Sequence, residues 1–147
     1  MSSCGWVSNP SPAKTVEFVL AMAKAGADLI EIGVPFSDPT AEGPVIQAAN
    51  LRALANGMTV EKVFAIVEAV RRESDVPLVL LSYINPVFRM GYETFFAKCA
   101  AVGVDGVILP ELPLEEKAPV AKAASASGVS LISMVAPNSA ERAEKIA

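Results

Sequence analysis

The chain contains no histidine, and its two cysteines, Cys4 and Cys99, stand far apart with no Cys-x-x-Cys spacing. Zinc and related sites draw on clustered Cys, His or carboxylate ligands, so no metal centre is expected. The missing imidazole also confines any acid/base chemistry to Glu, Asp, Tyr or Lys. No apolar run reaches the roughly 18 residues of a membrane span. The opening Met-Ser-Ser-Cys-Gly-Trp-Val lacks the charged and apolar regions of a secretory signal, so a cytoplasmic protein is expected, with no membrane partner. Basic residues are scattered, Arg71-Arg72 being the only adjacent pair, and the net charge is −4. That balance argues against a nucleic-acid surface.

Apolar residues, by contrast, are plentiful. They make up 52% of 147 residues, enough for the core of one domain. Their spacing alternates between helical and strand patterns. It predicts helices over 15–24, 45–55, 60–72, 92–101 and 114–127, with a last one starting near Ser139, and strands over 29–34, 76–83, 104–109 and 129–135. Val60, Val63, Phe64, Val67 and Val70 form one apolar stripe, and Thr59 precedes it as an N-cap. Three phrases mark the passage from helix into strand: Ala-Gly-Ala-Asp at 25–28, Val-Gly-Val-Asp at 102–105 and Ser-Gly-Val-Ser at 127–130. Glycine at such a helix end can adopt the left-handed conformation that turns the chain back to the sheet.

About four strands, each apolar on both faces and separated by helices, imply parallel βαβ units with right-handed crossovers. Two architectures satisfy this. A doubly wound sheet fits the length but lacks its usual glycine-rich phosphate loop after the first strand. A (β/α)8 barrel normally needs about 250 residues, and would place its active site in the loops that follow the strands.

Those loops hold the candidate functional residues. Glu31 lies inside the apolar run Asp28-Leu-Ile-Glu-Ile-Gly-Val34, and no Lys or Arg occurs between Lys24 and Arg52 to neutralise it. A carboxylate among Ile30, Ile32 and Val34 must be paired from a distant strand, protonated or used in chemistry. Pro35-Phe-Ser-Asp-Pro-Thr-Ala-Glu-Gly-Pro44 follows, a loop stiffened by Pro35, Pro39 and Pro44 that carries Asp38 and Glu42. Two carboxylates in unlike surroundings can divide acid and base roles, although a solvated Glu42 is the simpler alternative. From the residues alone, Tyr83 reads as a core aromatic, Asn85-Pro86 as a turn and Cys99 as a small core residue. Glu111 reads as a loop charge or partner contact, and Phe36 as a cover for an apolar ligand or a partner contact.

The run from Gly26 through Ile30-Glu-Ile-Gly-Val-Pro-Phe-Ser-Asp-Pro-Thr-Ala-Glu-Gly-Pro-Val-Ile-Gln47 to Arg52 resembles the tryptophan synthase alpha chain. The likeness continues through Leu81-Ser-Tyr-Ile-Asn-Pro-Val-Phe88, Gly103-Val-Asp-Gly-Val-Ile-Leu-Pro-Glu-Leu-Pro-Leu-Glu-Glu116 and Ala136-Pro-Asn138, covering roughly residues 9–147. It implies a partial (β/α)8 TIM barrel over 9–147, with 1–8 as an atypical leader that does not read as the family's first strand. It also implies that strands six to eight, with their phosphate-binding loops, are absent.

The activity so implied is the retro-aldol cleavage of indole-3-glycerol phosphate to indole and glyceraldehyde 3-phosphate, in tryptophan biosynthesis. Glu31 matches the catalytic Glu that protonates indole C3 and takes the glycerol hydroxyl proton. Glu42 stands where the family commonly has an Asp, in Ala-Asp-Gly-Pro, that meets the indole N–H. Leu81, Tyr83, Ile108, Pro110 and Met134 match substrate-pocket positions; Phe36, Asp38 and Glu111 match loop and partner positions, Glu111 where the family often has Asp. No cofactor is implied here, pyridoxal phosphate belonging to the beta chain of an alpha2beta2 complex. Very weak or no cleavage by this chain alone is expected. The alternative is a non-catalytic fragment that self-associates or binds the beta chain. A different barrel lyase or aldolase is disfavoured by the loop sequence.

Overall fold

The computed structural model describes residues 2–6, 11–40 and 42–135, so the expected helix near Ser139 and the Ala136-Pro-Asn138 segment lie outside the described residues. In chain order the elements are β1 (Ser2–Trp6), α1 (Pro12–Lys24), β2 (Leu29–Gly33), α2 (Pro44–Ala55), α3 (Val60–Arg71), β3 (Leu78–Leu81), α4 (Ile84–Met90), α5 (Tyr92–Val102), β4 (Gly106–Ile108), α6 (Lys117–Ala126) and β5 (Ser130–Ile132). A single 3-10 turn, Leu114–Glu116, leads into α6. Helix starts follow capping rules: the side chain of Ser11 accepts the Lys14 N–H, with Pro12 at the first helical position, and Thr59 accepts the Lys62 N–H.

All the strand pairs are parallel, and the sheet runs β1-β2-β3-β4-β5 in strict sequence order. A doubly wound sheet reverses its order at a switch point, whereas a barrel wall does not. The order therefore decides between the two architectures the residues left open.

Two expectations need correction. The four expected strands are present as β2 to β5, but Ser2–Trp6, read as part of a leader lacking the first strand, adds a fifth, pairing in parallel with β2 from Ser2↔Leu29 to Trp6↔Gly33. Its Ser-Ser-Cys-Gly-Trp composition gives no apolar run, and its pairing is set by the neighbouring strand rather than by local propensity. Asn85-Pro86 is no turn but lies within the first turn of α4, where a helix has unpaired N–H groups and tolerates proline.

The core fills the space between sheet and helices. Ile30, Ile32, Leu78, Leu80 and Val107 are 0% exposed. They meet Val63, Val67 and Val70 of α3, Phe95, Phe96 and Cys99 of α5 and Val120 of α6. The Phe95 ring contacts Phe64 at 5.6 Å and Phe96 edge-on at 5.5 Å between centroids.

At the N-terminal ends of the strands, one guanidinium joins three elements. Arg71 Nε donates to the Gly103 carbonyl at 2.7 Å and Nη1 to the Ser74 and Val76 carbonyls, while Nη2 pairs with Asp105. Asp105 in turn accepts the Leu78 N–H at 2.8 Å. Gly103, at φ +86°, closes α5 in the left-handed conformation, and a Cβ there would lie 3.0 Å from Arg71 Nε. The glycine of the Val-Gly-Val-Asp phrase thus serves both the turn and the guanidinium contact. Removing the guanidinium strands several part-buried acceptors, so Arg71→Met should lower stability by about 2–4 kcal/mol. Urea unfolding tests this, and an unchanged midpoint would refute the clamp.

Candidate active site

Successive strand residues face opposite sides of a sheet, and β2 divides accordingly. Ile30 and Ile32 face the helices, and Leu29, Glu31 and Gly33 face the inner side. This corrects the expected setting of Glu31: its apolar neighbours in sequence point away from it, and the residue is half-buried rather than enclosed by them. Among the described residues its carboxylate forms no hydrogen bond or ion pair, so both oxygens remain available on the inner face.

The register places the inner-face residues in layers. Glu31 aligns with Val79, Gly106 and Ser130. The layer above, toward the strands' C-terminal ends, holds Gly33, Leu81, Ile108 and Ile132. Two residues along a strand is about 6–7 Å, roughly the depth of a fused aromatic ring. Tyr83, Pro110 and Met134 continue the same phase just beyond the strand ends. Gly106 lets its neighbours close over the floor: a Cβ there would meet Ile132 Cδ1 at 3.0 Å, the Ser130 carbonyl at 3.3 Å and Val79 Cγ2 at 3.4 Å.

The sequence-predicted pocket residues differ in exposure. Tyr83 is buried, Leu81, Ile108 and Pro110 are half-buried, and Met134 is 59% exposed. Pro110 and Met134 share a small cavity of about 60 Å³ with Leu131 and Lys117, whose Nζ donates to Ser133 Oγ at 2.6 Å.

The loop between β2 and α2 lies over this end of the sheet. Phe36 is half-buried, its ring stacked on Tyr83 with centroids 5.4 Å apart and planes at 30°. Its N–H donates to Asn50 Oδ1 at 3.1 Å. Asp38 is exposed, whereas Glu42 is half-buried and anchored through its carbonyl, which accepts from Gln47 Nε2 at 2.9 Å. Glu111 is engaged within the chain. Its Oε1 accepts the Ile84 N–H at the start of α4, tying the loop after β4 to the segment carrying Tyr83, and its Oε2 is buried without a hydrogen-bond partner among the described residues.

Asn50 escaped the sequence reading. It is buried on α2 and bonds at both ends of its amide, and the available signal was a helix-interior Asn between apolar neighbours. Among the described residues no group of three or more His, Cys, Asp or Glu could hold a metal ion, and no helix is long and apolar enough to cross a membrane.

A parallel sheet in sequence order, with a carboxylate on its inner face and site loops at the strands' C-terminal ends, defines an α/β partial barrel of the (β/α)8 kind. Comparison with known proteins gives the family. The family model described as tryptophan synthase alpha chain matches residues 6–147. The tryptophan synthase alpha chain of Lacticaseibacillus casei is 48% identical over 139 residues, covering 95% of this chain and 52% of the relative. A Pyrococcus furiosus tryptophan synthase alpha-subunit structure superposes with a TM-score of 0.94 at 37% identity, covering 99% of this chain and 60% of that one. The Pyrococcus furiosus tryptophan synthase a2b2 complex matches with a TM-score of 0.90 at 37% identity, covering 94% and 58%. The chain belongs to the tryptophan synthase alpha chain family. It spans about half the length of the curated relatives it matches.

Cys99 is placed away from the site, in the helix-facing core, where burial pushes its thiol up to about 12. An unfolded thiol ionises near about 8.5. The folded state therefore keeps a proton that the unfolded state loses, so this contribution is complete below about pH 8.5 and declines as pH rises toward 12. In a Cys4→Ser background, thiol reagents at pH 8 should modify Cys99 only as fast as the core opens. Rapid modification of the folded protein would contradict this placement.

Proposed function

We propose that the chain carries the acid/base part of a lyase site that cleaves indole-3-glycerol phosphate to indole and glyceraldehyde 3-phosphate. The observation that supports this most is Glu31, an available carboxylate on the inner face, one layer beneath the apolar side chains of Leu81 and Ile108. An indole ring lying against that layer presents its C3 edge to the carboxyl group.

The proposed steps balance in protons. Protonated Glu31 donates to C3, which becomes tetrahedral while positive charge develops at the ring nitrogen. The carboxylate of Glu42 accepts a hydrogen bond from that N–H and stabilises the charge. The bond between C3 and the glycerol chain then breaks, its electron pair restoring the aromatic ring. The side-chain hydroxyl becomes a carbonyl and gives its proton to Glu31, which ends as it began. Leu81 and Ile108 pack the ring, Tyr83, Pro110 and Met134 form the rim, and the loop with Phe36 and Asp38 covers it. Glu42 is one methylene longer than the Asp commonly found in the resembling motif, so it meets the ring nitrogen from further back along the loop.

Water limits the rate in this arrangement. Ile132 is 37% and Met134 59% exposed, so the ring layer of the chain by itself is wetter than a closed active site. We therefore assign slow turnover to the chain alone and faster turnover with a tryptophan synthase beta chain. No cofactor enters the chemistry assigned to this chain, pyridoxal phosphate belonging to the beta partner. The second reading, association with a beta chain or a second copy without catalysis, draws on exposed apolar residues, Phe88 at 67% and Met134 at 59%.

Indole release by the purified chain, with and without beta chain, tests the leading reading. Loss of a positioned acid/base typically costs about 10²–10⁴-fold, and Glu31→Gln should fall in that range. Indole release indifferent to Glu31→Gln would sink it. Release undetectable in every condition, together with a complex on size exclusion, would favour the second reading.

A further inference from the structure

Among the described residues, the loop from Val34 to Gly43 is held at its two ends and at Phe36 between them. At its entry the Val34 N–H donates to the Leu81 carbonyl at 2.8 Å, and at its exit Gln47 Nε2 holds the Glu42 carbonyl at 2.9 Å. The intermediate point is Phe36, whose N–H reaches Asn50 Oδ1 at 3.1 Å and whose ring lies on Tyr83.

Asn50 is 1% exposed, and the other end of its amide donates to the Ile46 carbonyl at 3.1 Å. Asn50 and Ala53 are the residues that α2 buries. The helix that follows the loop thus buries the same side chain that grips the loop's beginning. Pro35, Pro39 and Pro44 restrict the backbone on either side, so fixing Phe36 leaves few arrangements for Asp38 and Glu42.

We propose that Asn50 is a positioning residue for the lyase reaction: by closing the loop on its own following helix, it sets Phe36 over Tyr83 and aims Glu42 at the ring layer above Glu31. The assignment of a catalytic consequence rests on the function proposed above. Asn50 touches no reacting atom; it acts through the Phe36 amide.

Two variants separate this role from simple packing. Asn50→Leu keeps the shape and removes the acceptor. Asn50→Asp keeps the acceptor for the Phe36 N–H and removes the donor to Ile46. Each is measured in the complete chain for amide hydrogen exchange at Phe36 and for kcat and KM in indole release. In Asn50→Leu the Phe36 amide should exchange about tenfold faster, as expected for loss of one hydrogen bond, while the β2 amides are unchanged. Its kcat should fall about 10–100-fold with KM little altered, the signature of misplaced chemistry rather than lost binding. Asn50→Asp should keep Phe36 protected and recover most of kcat, and it decides the question alone if Asn50→Leu does not fold. Unchanged exchange at Phe36 in Asn50→Leu, or an Asn50→Asp variant that loses Phe36 protection and kcat, would overturn the proposal. Absence of Glu31-dependent indole release in the unsubstituted chain would end the functional reading, while the Phe36 amide would still decide whether Asn50 holds the loop.

Discussion

Ile30 and Ile32 are both 0% exposed against the helices, and this burial fixes which way every other residue of β2 must point. Burying each isoleucine contributes about 1.5–3 kcal/mol. A slip of one residue would expose both and drive the carboxylate of Glu31 into the hydrocarbon layer, a cost no contact on the other face could offset. The apolar run that makes Glu31 look buried in sequence is therefore what holds it out on the inner face. The same alternation in β3 and β4 gives Leu80 and Val107 to the core and Leu81 and Ile108 to the layer above the carboxylate.

The two ends of the sheet divide the work. At the N-terminal end, Arg71 and Asp105 tie α3, β3 and the α5–β4 junction through backbone carbonyls and one N–H, an arrangement that stabilises without facing a ligand. At the C-terminal end, loops meet one another: Phe36 on Tyr83, Asn50 on Phe36, Glu111 on Ile84. Barrel proteins generally separate stability and chemistry in this way, because loops can vary over a fixed wall.

Local signals were legible in the sequence. The α3 stripe, the Thr59 cap and the glycine turns at Gly26, Gly103 and Gly128, all at positive φ, need only near neighbours to be read. Signals that depend on partners distant in sequence were not. β1 has no apolar run and exists by pairing with β2; α4 hides behind a proline that its first turn tolerates. Asn50 and Glu111 bond backbone groups on other segments, so their partners could not be read from charge or spacing. Glu31 was singled out as a residue needing explanation, but its surroundings were read along the chain rather than across the sheet. The chemical role given to it came from the resemblance, and the layer of Leu81 and Ile108 above it is what the fold adds.

The central claim is proton transfer between Glu31 and the C3 position of an indole ring. Solvent deuterium uptake at C3 of indole, followed by NMR in the presence of the protein, measures that transfer without requiring carbon–carbon cleavage. Uptake faster than in buffer, abolished by Glu31→Gln and retained in a variant altered only at the distant Arg71 clamp, is the expected result. Uptake equal in the unsubstituted protein and in Glu31→Gln would contradict it.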